Sequence, residues 1–288
     1  MNQHFTIQNL TKKYDDTLAL NGISLDFQPG KVYGLLGRNG AGKTTLLKLI
    51  ANMLTPTSGE ILRDEIALQE GSICFSRDNN PYFMQQKVKT LFYLAGRIYP
   101  NWDEAYAHEL AQLFDLKVKK QYQRLSKGQQ TMVSLVIALA SNAPILLLDE
   151  PYSGLDPVNR EHFYRHLRER YLDNDRLVIF SSHLINEVEG YFEEGIIMDQ
   201  GNILISESME SIKEKSFKIS GNEAMVNYLK AHKNVIGQDH LAGLYTVYVY
   251  DHLSSSEKES LIRLGANIQG MDLQKLMVNL CMNWEVKK

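Results

Sequence analysis

A glycine-rich segment between two apolar segments constrains this chain of 288 residues more than any other feature. The apolar segment KVYGLL, residues 31–36, is rich in strand-forming residues and is followed at once by GRNGAGKTT. Apolar residues then recur at helical spacing from Leu46 to Leu54. The order strand, glycine loop and helix favours a bound anion, because backbone N–H groups of the loop and of the helix N-terminus then point at one place.

The glycine loop fits the phosphate-loop pattern, in which a glycine is followed after four residues by Gly-Lys-Thr. In this pattern Lys43 reaches the β- and γ-phosphates of a nucleotide, and the hydroxyl of Thr44 binds Mg²⁺. A glycine turn without a ligand is the alternative, and the strand-to-helix context argues against it. The residues predicted to hold the nucleotide here are Gly37, Asn39, Gly40, Ala41, Gly42, Lys43, Thr44 and Thr45.

A second segment supplies the acids that such a loop needs. In ILLLDEP, residues 145–151, an aliphatic run suits a parallel strand that is buried on both faces. Asp149 ends this run, where open α/β sheets bind ligands, and we predict that it binds the metal. Because side chains alternate along a strand, Glu150 is predicted to point to the other side and to hold the attacking water. Taken alone, an Asp-Glu pair after a strand is more often a solvated loop.

Composition excludes several classes of protein. A net charge of −3 gives no general basic excess, so nucleic-acid binding is not expected. Cys74 and Cys281 lack the spacing of metal ligands, which favours a reduced, cytosolic setting without disulfides. The N-terminus has no apolar segment typical of a secretion signal. Residues 132–148 are the most apolar window, but SNAP at 141–144 interrupts them, so we interpret them as helix, turn and strand.

Together these motifs resemble those of the ATP-binding subunit of ATP-binding cassette (ABC) transporters. GRNGAGKTT, LSKGQQ, ILLLDEP with YSGLDP, and VIFSSH occur in that family's order and spacing, between about Phe5 and Ile205. The resemblance implies ATP and Mg²⁺ as ligands, and a homodimer or a heterodimer of cassettes that closes around two nucleotides. It also implies a separately encoded transmembrane permease, which would hold this cytoplasmic subunit on the inner face of the membrane.

The resemblance assigns roles to the signature segment LSKGQ. It implies that Ser126 and Gly128 bind the γ-phosphate of ATP held by the opposite subunit. Ser126 also precedes an apolar helix, so we expect it to cap that helix and its N-terminus to be a second anion site. An ordinary capped helix without a ligand is the alternative for this segment taken alone.

Three further residues receive roles from the same resemblance. His183 matches the switch histidine that contacts the γ-phosphate, so the implied catalytic residues are Lys43, Glu150 and His183. Asp156 matches the loop that crosses the dimer interface. Tyr14 stands where the family places an aromatic ring against adenine, although a tyrosine on an edge strand would look the same.

Two positions depart from the family's pattern. Lys127 stands in the signature where glycine is common, and it adds a positive charge beside the γ-phosphate. The family also has a glutamine after a strand, where it touches Mg²⁺, water and the membrane partner. In SICFSRDNNPYF this place falls to Asp78, with Arg77 as the alternative. We predict that Asp78 replaces the glutamine as a metal ligand, through water.

The expected fold is α/β: a P-loop NTPase core of the ABC ATPase type at residues 1–206, with a helical subdomain inserted at about 82–142. A small α+β domain follows at residues 207–288, where the order βαββαβ and a last helix are typical of a ferredoxin-like plait. It shows no catalytic pattern, so we expect a structural or dimer-stabilising role. The inserted segment carries aromatic candidates for contact with a helix of the membrane subunit: Tyr82, Phe83, Tyr93, Tyr99 and Trp102.

The lysine-containing signature, the NWDEA segment and the short extension resemble bacterial exporters of peptides, including antimicrobial-peptide and modulin-type toxin exporters. Two alternatives remain open. Family members that act on ribosomes or DNA have two cassettes in one chain or a long coiled coil within the cassette, and neither pattern is present. A regulatory subunit of a heterodimer is the second alternative, because the glutamine position is altered.

Overall fold

The computed structural model describes residues 5–63, 69–77, 80–171, 176–183, 185, 189–241 and 243–286. The chain forms two compact units, Met1–His183 with Met198–Ile203, and Leu184–Ile197 with Leu204–Lys288. The domain limits predicted from the sequence, 1–206 and 207–288, stay predictions. No helix in the described part of the chain is both long enough and apolar enough to cross a bilayer.

The chain begins with a strand-rich segment around the glycine loop. In order its elements are β1 (Phe5–Tyr14), β2 (Thr17–Phe27), β3 (Val32–Gly37), α1 (Lys43–Ile50) and β4 (Ser58–Arg63). β1 pairs antiparallel with both β2 and β4, which makes a small sheet of order β2-β1-β4. β3 is buried along its whole length, as expected of the apolar run that precedes the loop.

The next segment alternates strands and helices. Its elements are β5 (Ile73–Arg77), α2 (Val88–Ile98), α3 (Glu104–Leu113), α4 (Lys127–Ala140), β6 (Ile145–Asp149), α5 (Pro157–Tyr171), β7 (Leu177–Ser182), β8 (Glu194–Asp199) and β9 (Asn202–Ser208). Short 3₁₀ helices lie at Pro81–Phe83, Tyr122–Arg124 and Glu189–Tyr191. Helices α2 to α4 therefore lie between β5 and β6, where the sequence predicts an inserted helical segment.

The larger sheet has the order β5-β6-β7-β3-β8-β9. The pairs β5–β6, β6–β7 and β7–β3 are parallel, so the carboxyl ends of these four strands meet at one edge. The register places Asp149, at the end of β6, between Arg77 of β5 and Ser181 of β7. The glycine loop leaves β3 at this same edge, and the α/β prediction is confirmed.

The glycine loop fits closely because some of its residues have no Cβ. Gly42 has a φ of 105° and caps α1, and a Cβ there would lie 2.6 Å from the backbone oxygen of Ala19. At Gly37 a Cβ would lie 2.3 Å from the oxygen of Met198. Side chains at these two positions would therefore push the loop away from the strands that hold it.

The C-terminal elements are α6 (Met209–Lys215), β10 (Ser216–Gly221), α7 (Glu223–His232), β11 (Val235–Leu241), β12 (Leu244–Tyr250), α8 (Ser255–Arg263), β13 (Asn267–Gly270) and α9 (Leu273–Val286). From β10 to β13 this is the predicted order βαββαβ. The antiparallel sheet has the order β11-β12-β10-β13, in which the first and third strands of the plait are central.

Both faces of this C-terminal sheet are covered by helices. Val247 and Val249 belong to an apolar core with residues of α7 and α8, including Leu229 and Leu261. Tyr248 alternates with the valines and faces α9, where the ammonium group of a lysine lies 4.5 Å from the centre of its ring. The sheet is therefore a closed two-sided layer.

Candidate functional site

Two adjoining clefts lie at the carboxyl edge of the larger sheet. The first, of about 270 Å³, follows the glycine loop and is lined by Thr17, Leu18, Ala19, Asn39, Gly40, Ala41, Gly42, Lys43, Thr44, Thr45 and Glu150. The second, of about 320 Å³, is lined by Asn39, Thr44, Lys48, Arg77, Asp149, Glu150, Ser153 and His183. Every predicted loop residue except Gly37 lines the first cleft, and Gly37 lies directly beneath it as an acceptor for the lysine.

Lys43 lies at the base of the loop with its side chain largely buried. Its Nζ donates to the carbonyl oxygens of Gly37 at 2.7 Å and Arg38 at 3.2 Å, and lies 3.7 Å from Oε1 of Glu150. Burial lowers the pKa of Lys43, while the carboxylates of Glu150 and Asp149 act in the opposite direction. The lysine is thus a fixed cation whose charge points along the loop.

Thr44 and Asp149 face each other across the second cleft. The Thr44 hydroxyl lies 3.0 and 2.9 Å from the two carboxylate oxygens of Asp149. These are the hard oxygen ligands that Mg²⁺ prefers, and Mg²⁺ sites with one protein carboxylate are completed by water and phosphate oxygens. The described residues contain no cluster of three or more acidic, histidine or cysteine side chains fit for a metal, so the residues present fit Mg²⁺ brought with a nucleotide.

Glu150 corrects one prediction from the sequence. We expected its side chain on the far side of the strand end, but Glu150 and Asp149 line the same cleft. The cause is local, because Glu150 has a φ of 50°, and this left-handed conformation ends the alternation of the strand. Its Oε2 lies 2.8 Å from Nδ1 of His183, which leaves Glu150 between a histidine and the Lys43 ammonium.

Ser181 is a site residue that the sequence analysis missed. Its hydroxyl donates to Oδ1 of Asp149 at 2.7 Å and accepts the backbone N–H of Glu150 at 3.0 Å. Ser181 is fully buried and lies beside Asp149 in the parallel register of β6 and β7. The signal was a hydroxyl residue at the end of the aliphatic run LVIFSS, where a purely structural strand would continue with aliphatic residues.

The signature segment lies apart from the residues that line these two clefts. Ser126 caps α4 as predicted, in a reciprocal arrangement with Gln129 that satisfies two backbone N–H groups. A Cβ at Gly128 would lie 2.4 Å from the carbonyl oxygen of Gly154, so these two glycines are in close backbone contact. Lys127 is the first residue of α4.

Asp156 and Tyr14 also line neither cleft in the described part of the chain. Asp156 accepts from the backbone N–H of Asn159 at 3.0 Å and from its side chain at 2.6 Å, and the backbone bond lowers the pKa of Asp156. Tyr14 ends β1 with 41% of its surface exposed, and the ammonium group of Lys12 lies 5.2 Å from the centre of its ring. Asp78 lies outside the described residues. Arg77, the alternative, ends β5 and lines the second cleft.

An apolar groove of about 300 Å³ adjoins the second cleft. Its lining comes from β5, the segment after it, α2 and α4: Cys74, Phe75, Ser76, Arg77, Asn80, Tyr82, Phe83, Leu91, Leu94, Ala95, Ile98, Tyr99, Ser134 and Ile137. Three of the five predicted aromatic candidates belong to it. Tyr82 is 80% exposed at its edge.

Comparison with known proteins gives a consistent picture. The family model described as ABC transporter matches residues 20–153. ABC transporter ATP-binding protein YtrB of Bacillus subtilis (strain 168) is 30% identical over 263 residues, which cover 89% of each chain. An ATP-binding subunit of an ABC transporter superposes with a TM-score of 0.65 at 22% identity, over 73% of this chain and 91% of the other. A dimeric ATP-binding cassette bound to ADP and phosphate superposes with a TM-score of 0.61 at 23% identity, over 71% and 98%.

Proposed function

Because this chain belongs to the ABC transporter family of ATP-binding proteins, and is an ATPase of that family, we propose that two cassettes pair around two Mg·ATP and power a separately encoded transmembrane subunit. The observation that carries the proposal is one connected set of contacts in the second cleft. Thr44 meets Asp149, Ser181 joins Asp149 to the backbone of Glu150, and Glu150 meets His183 and Lys43.

The phosphate groups of ATP are held by the glycine loop and by Lys43, whose buried charge faces them. Thr44 and Asp149 are the residues that would hold Mg²⁺, which when bound neutralises charge on the β- and γ-phosphates. Glu150 orients the attacking water and accepts its proton. His183, which lies 2.8 Å from Glu150, orients that carboxylate and donates to the γ-phosphoryl oxygens. The left-handed backbone of Glu150 brings base and metal ligand into one cleft.

The role of Ser126 and Gly128 is to complete the site of a partner cassette. Ser126 lies at the N-terminus of a helix of 14 residues, where backbone N–H groups and the helix dipole favour a phosphate. Neither residue lines its own chain's clefts, which supports a role toward a second chain. Asp156 and Tyr14 are proposed to act with them, at the dimer interface and against adenine. The dimeric relative bound to ADP and phosphate supports the same arrangement.

Light scattering on Glu150→Gln, with and without Mg·ATP, tests the pairing. We expect the mass in solution to double with ATP, because the variant binds but does not hydrolyse it, and we expect Ser126→Arg in the same background to remain a monomer. A persistent monomer that still binds ATP would refute a homodimer and indicate a related partner chain. ATP turnover by the unmodified chain separates a motor from a regulatory subunit.

The proposed membrane partner docks a helix in the apolar groove. The exposed ring of Tyr82 and the 44% exposed side chain of Leu94 give this groove an apolar edge that a partner helix would cover. Docking places the subunit on the cytoplasmic face of the membrane. Tyr82→Asp and Leu94→Asp are expected to abolish copurification with a co-expressed permease without changing the binding of ATP. Copurification with ribosomes instead would favour the non-transport members of the family.

We also propose that the transported compounds are peptides or other toxic amphipathic molecules. The support is the sequence resemblance of the signature, the NWDEA segment and the C-terminal extension to peptide exporters. In vesicles that contain the complete transporter, amphipathic peptides are expected to raise ATP turnover severalfold. Stimulation by small hydrophilic nutrients and not by peptides would contradict export of this class.

A further inference from the structure

Arg77 lies where the second cleft and the apolar groove meet. It ends β5, in register with Asp149 of the neighbouring parallel strand. It lines the cleft together with Thr44, Glu150 and His183, and it also lines the groove. Of the described residues that line these two cavities, Arg77 is the only one common to both. A change on either side of this residue therefore reaches the other.

The acids near Arg77 already have other partners. Asp149 accepts from the hydroxyls of Thr44 and Ser181, and Glu150 contacts His183 and the ammonium group of Lys43. Within the described residues, no hydrogen bond or ion pair is formed by the half-buried Arg77. A guanidinium group has five N–H donors and keeps its charge at any physiological pH. Its donors are thus free to meet an anion that enters the cleft.

We propose that Arg77 binds the terminal phosphate of ATP directly, and that the occupant of the apolar groove controls this contact. The inference rests on the proposed function, since it assigns a further ligand to the same ATP site. An arginine forms paired hydrogen bonds to phosphate oxygens and stabilises the charge that develops during phosphoryl transfer. ADP lacks the terminal phosphate, so Arg77 distinguishes the two nucleotides, which a neutral glutamine at this position would do without a charge.

Nucleotide affinities measured by calorimetry in the Glu150→Gln background test the contact. Arg77→Met is expected to weaken ATP about tenfold or more and to leave ADP within about twofold, because one charge-assisted contact is lost with ATP only. Arg77→Lys is expected to retain part of the difference. Lys48→Met is the matched control, since it removes a charge from the same cleft, and it is expected to affect ATP and ADP equally.

The groove is tested by filling it. Leu94 lines the groove and not the second cleft, so Leu94→Trp is expected to change the affinity for ATP about threefold when Arg77 is present and not in Arg77→Met, as in a double-mutant cycle. An equal effect with and without Arg77 would overturn control by the groove.

The remaining outcomes separate this inference from the proposed function. An unchanged ratio of ATP to ADP affinity in Arg77→Met, or the same change of that ratio in Lys48→Met, overturns the phosphate contact alone. Retained ADP binding shows in each case that the variant is folded. If the Glu150→Gln parent bound neither nucleotide, both the inference and the proposed function would fall.

Discussion

Replacing Ser181 with alanine tests whether one buried hydroxyl holds both acids of the cleft. The change removes the 2.7 Å bond to the Asp149 carboxylate, a charge-assisted bond worth about 1.5–3 kcal/mol. It also removes the acceptor of the Glu150 N–H, and an unsatisfied buried donor costs about 1–3 kcal/mol. Because the two bonds share one oxygen, we expect a combined loss of about 2–4 kcal/mol in the free energy of unfolding.

The effect on catalysis is expected to exceed the effect on binding. Without Ser181 the left-handed turn at Glu150 is no longer fixed, so kcat is expected to fall about tenfold or more. The affinity for ATP is expected to change by less than about threefold, since Lys43 and the loop keep their contacts. Steady-state ATP turnover at several Mg²⁺ concentrations, together with urea denaturation, measures all three quantities.

Ser216→Ala is the matched control. Ser216 is as buried as Ser181, but its hydroxyl donates to the neutral carbonyl of Ile212, at 2.6 Å, in the C-terminal unit. We expect about 1 kcal/mol less stability and unchanged turnover. A folded Ser181→Ala protein that hydrolyses ATP at the parental rate would refute the reasoning.

Three shorter predictions follow. Glu150→Gly and Glu150→Ala should both be inactive, but the glycine variant should be about 1 kcal/mol more stable in urea, because a φ of 50° strains any residue with a Cβ; equal stability would argue against strain. Gly128→Ala should abolish ATP turnover, since its Cβ would lie 2.4 Å from a backbone oxygen, whereas Gly270→Ala has open space and should be neutral. The hydrogen bond from Lys233 lowers the pKa of Glu257 to about 2, so the stability it contributes is present above about pH 4.5 and lost toward pH 2. The urea midpoint should therefore depend less on pH in that window in Glu257→Gln.

The motifs predicted much of the site because their chemistry depends on neighbours in sequence. Lys43 and Thr44 belong to a loop whose strand and helix are adjacent in the chain, and the aliphatic run before Asp149 predicted its place at the sheet edge. Ser181 escaped prediction because its partners lie 31 and 32 residues away and are set by strand register. The direction of Glu150 was wrong because alternation fails where a single φ changes sign.

The C-terminal part shows the same limit. Alternating apolar residues predicted its strands and helices in the right order, since each element carries its own periodicity. The sheet order β11-β12-β10-β13 depends on packing between distant strands, and only the βαββαβ pattern as a whole indicated it.

The close contact between Gly128 and Gly154 has a consequence for timing. Ser153, next to Gly154, lines the second cleft, and its carbonyl oxygen accepts the hydroxyl of Thr131 from α4 at 2.8 Å. In a pair of cassettes, the segment offered to the neighbour's nucleotide therefore rests on the loop that leaves the chain's own acids. The two ATP molecules would then be consumed in concert, and turnover would rise sigmoidally with ATP concentration, with a Hill coefficient above one.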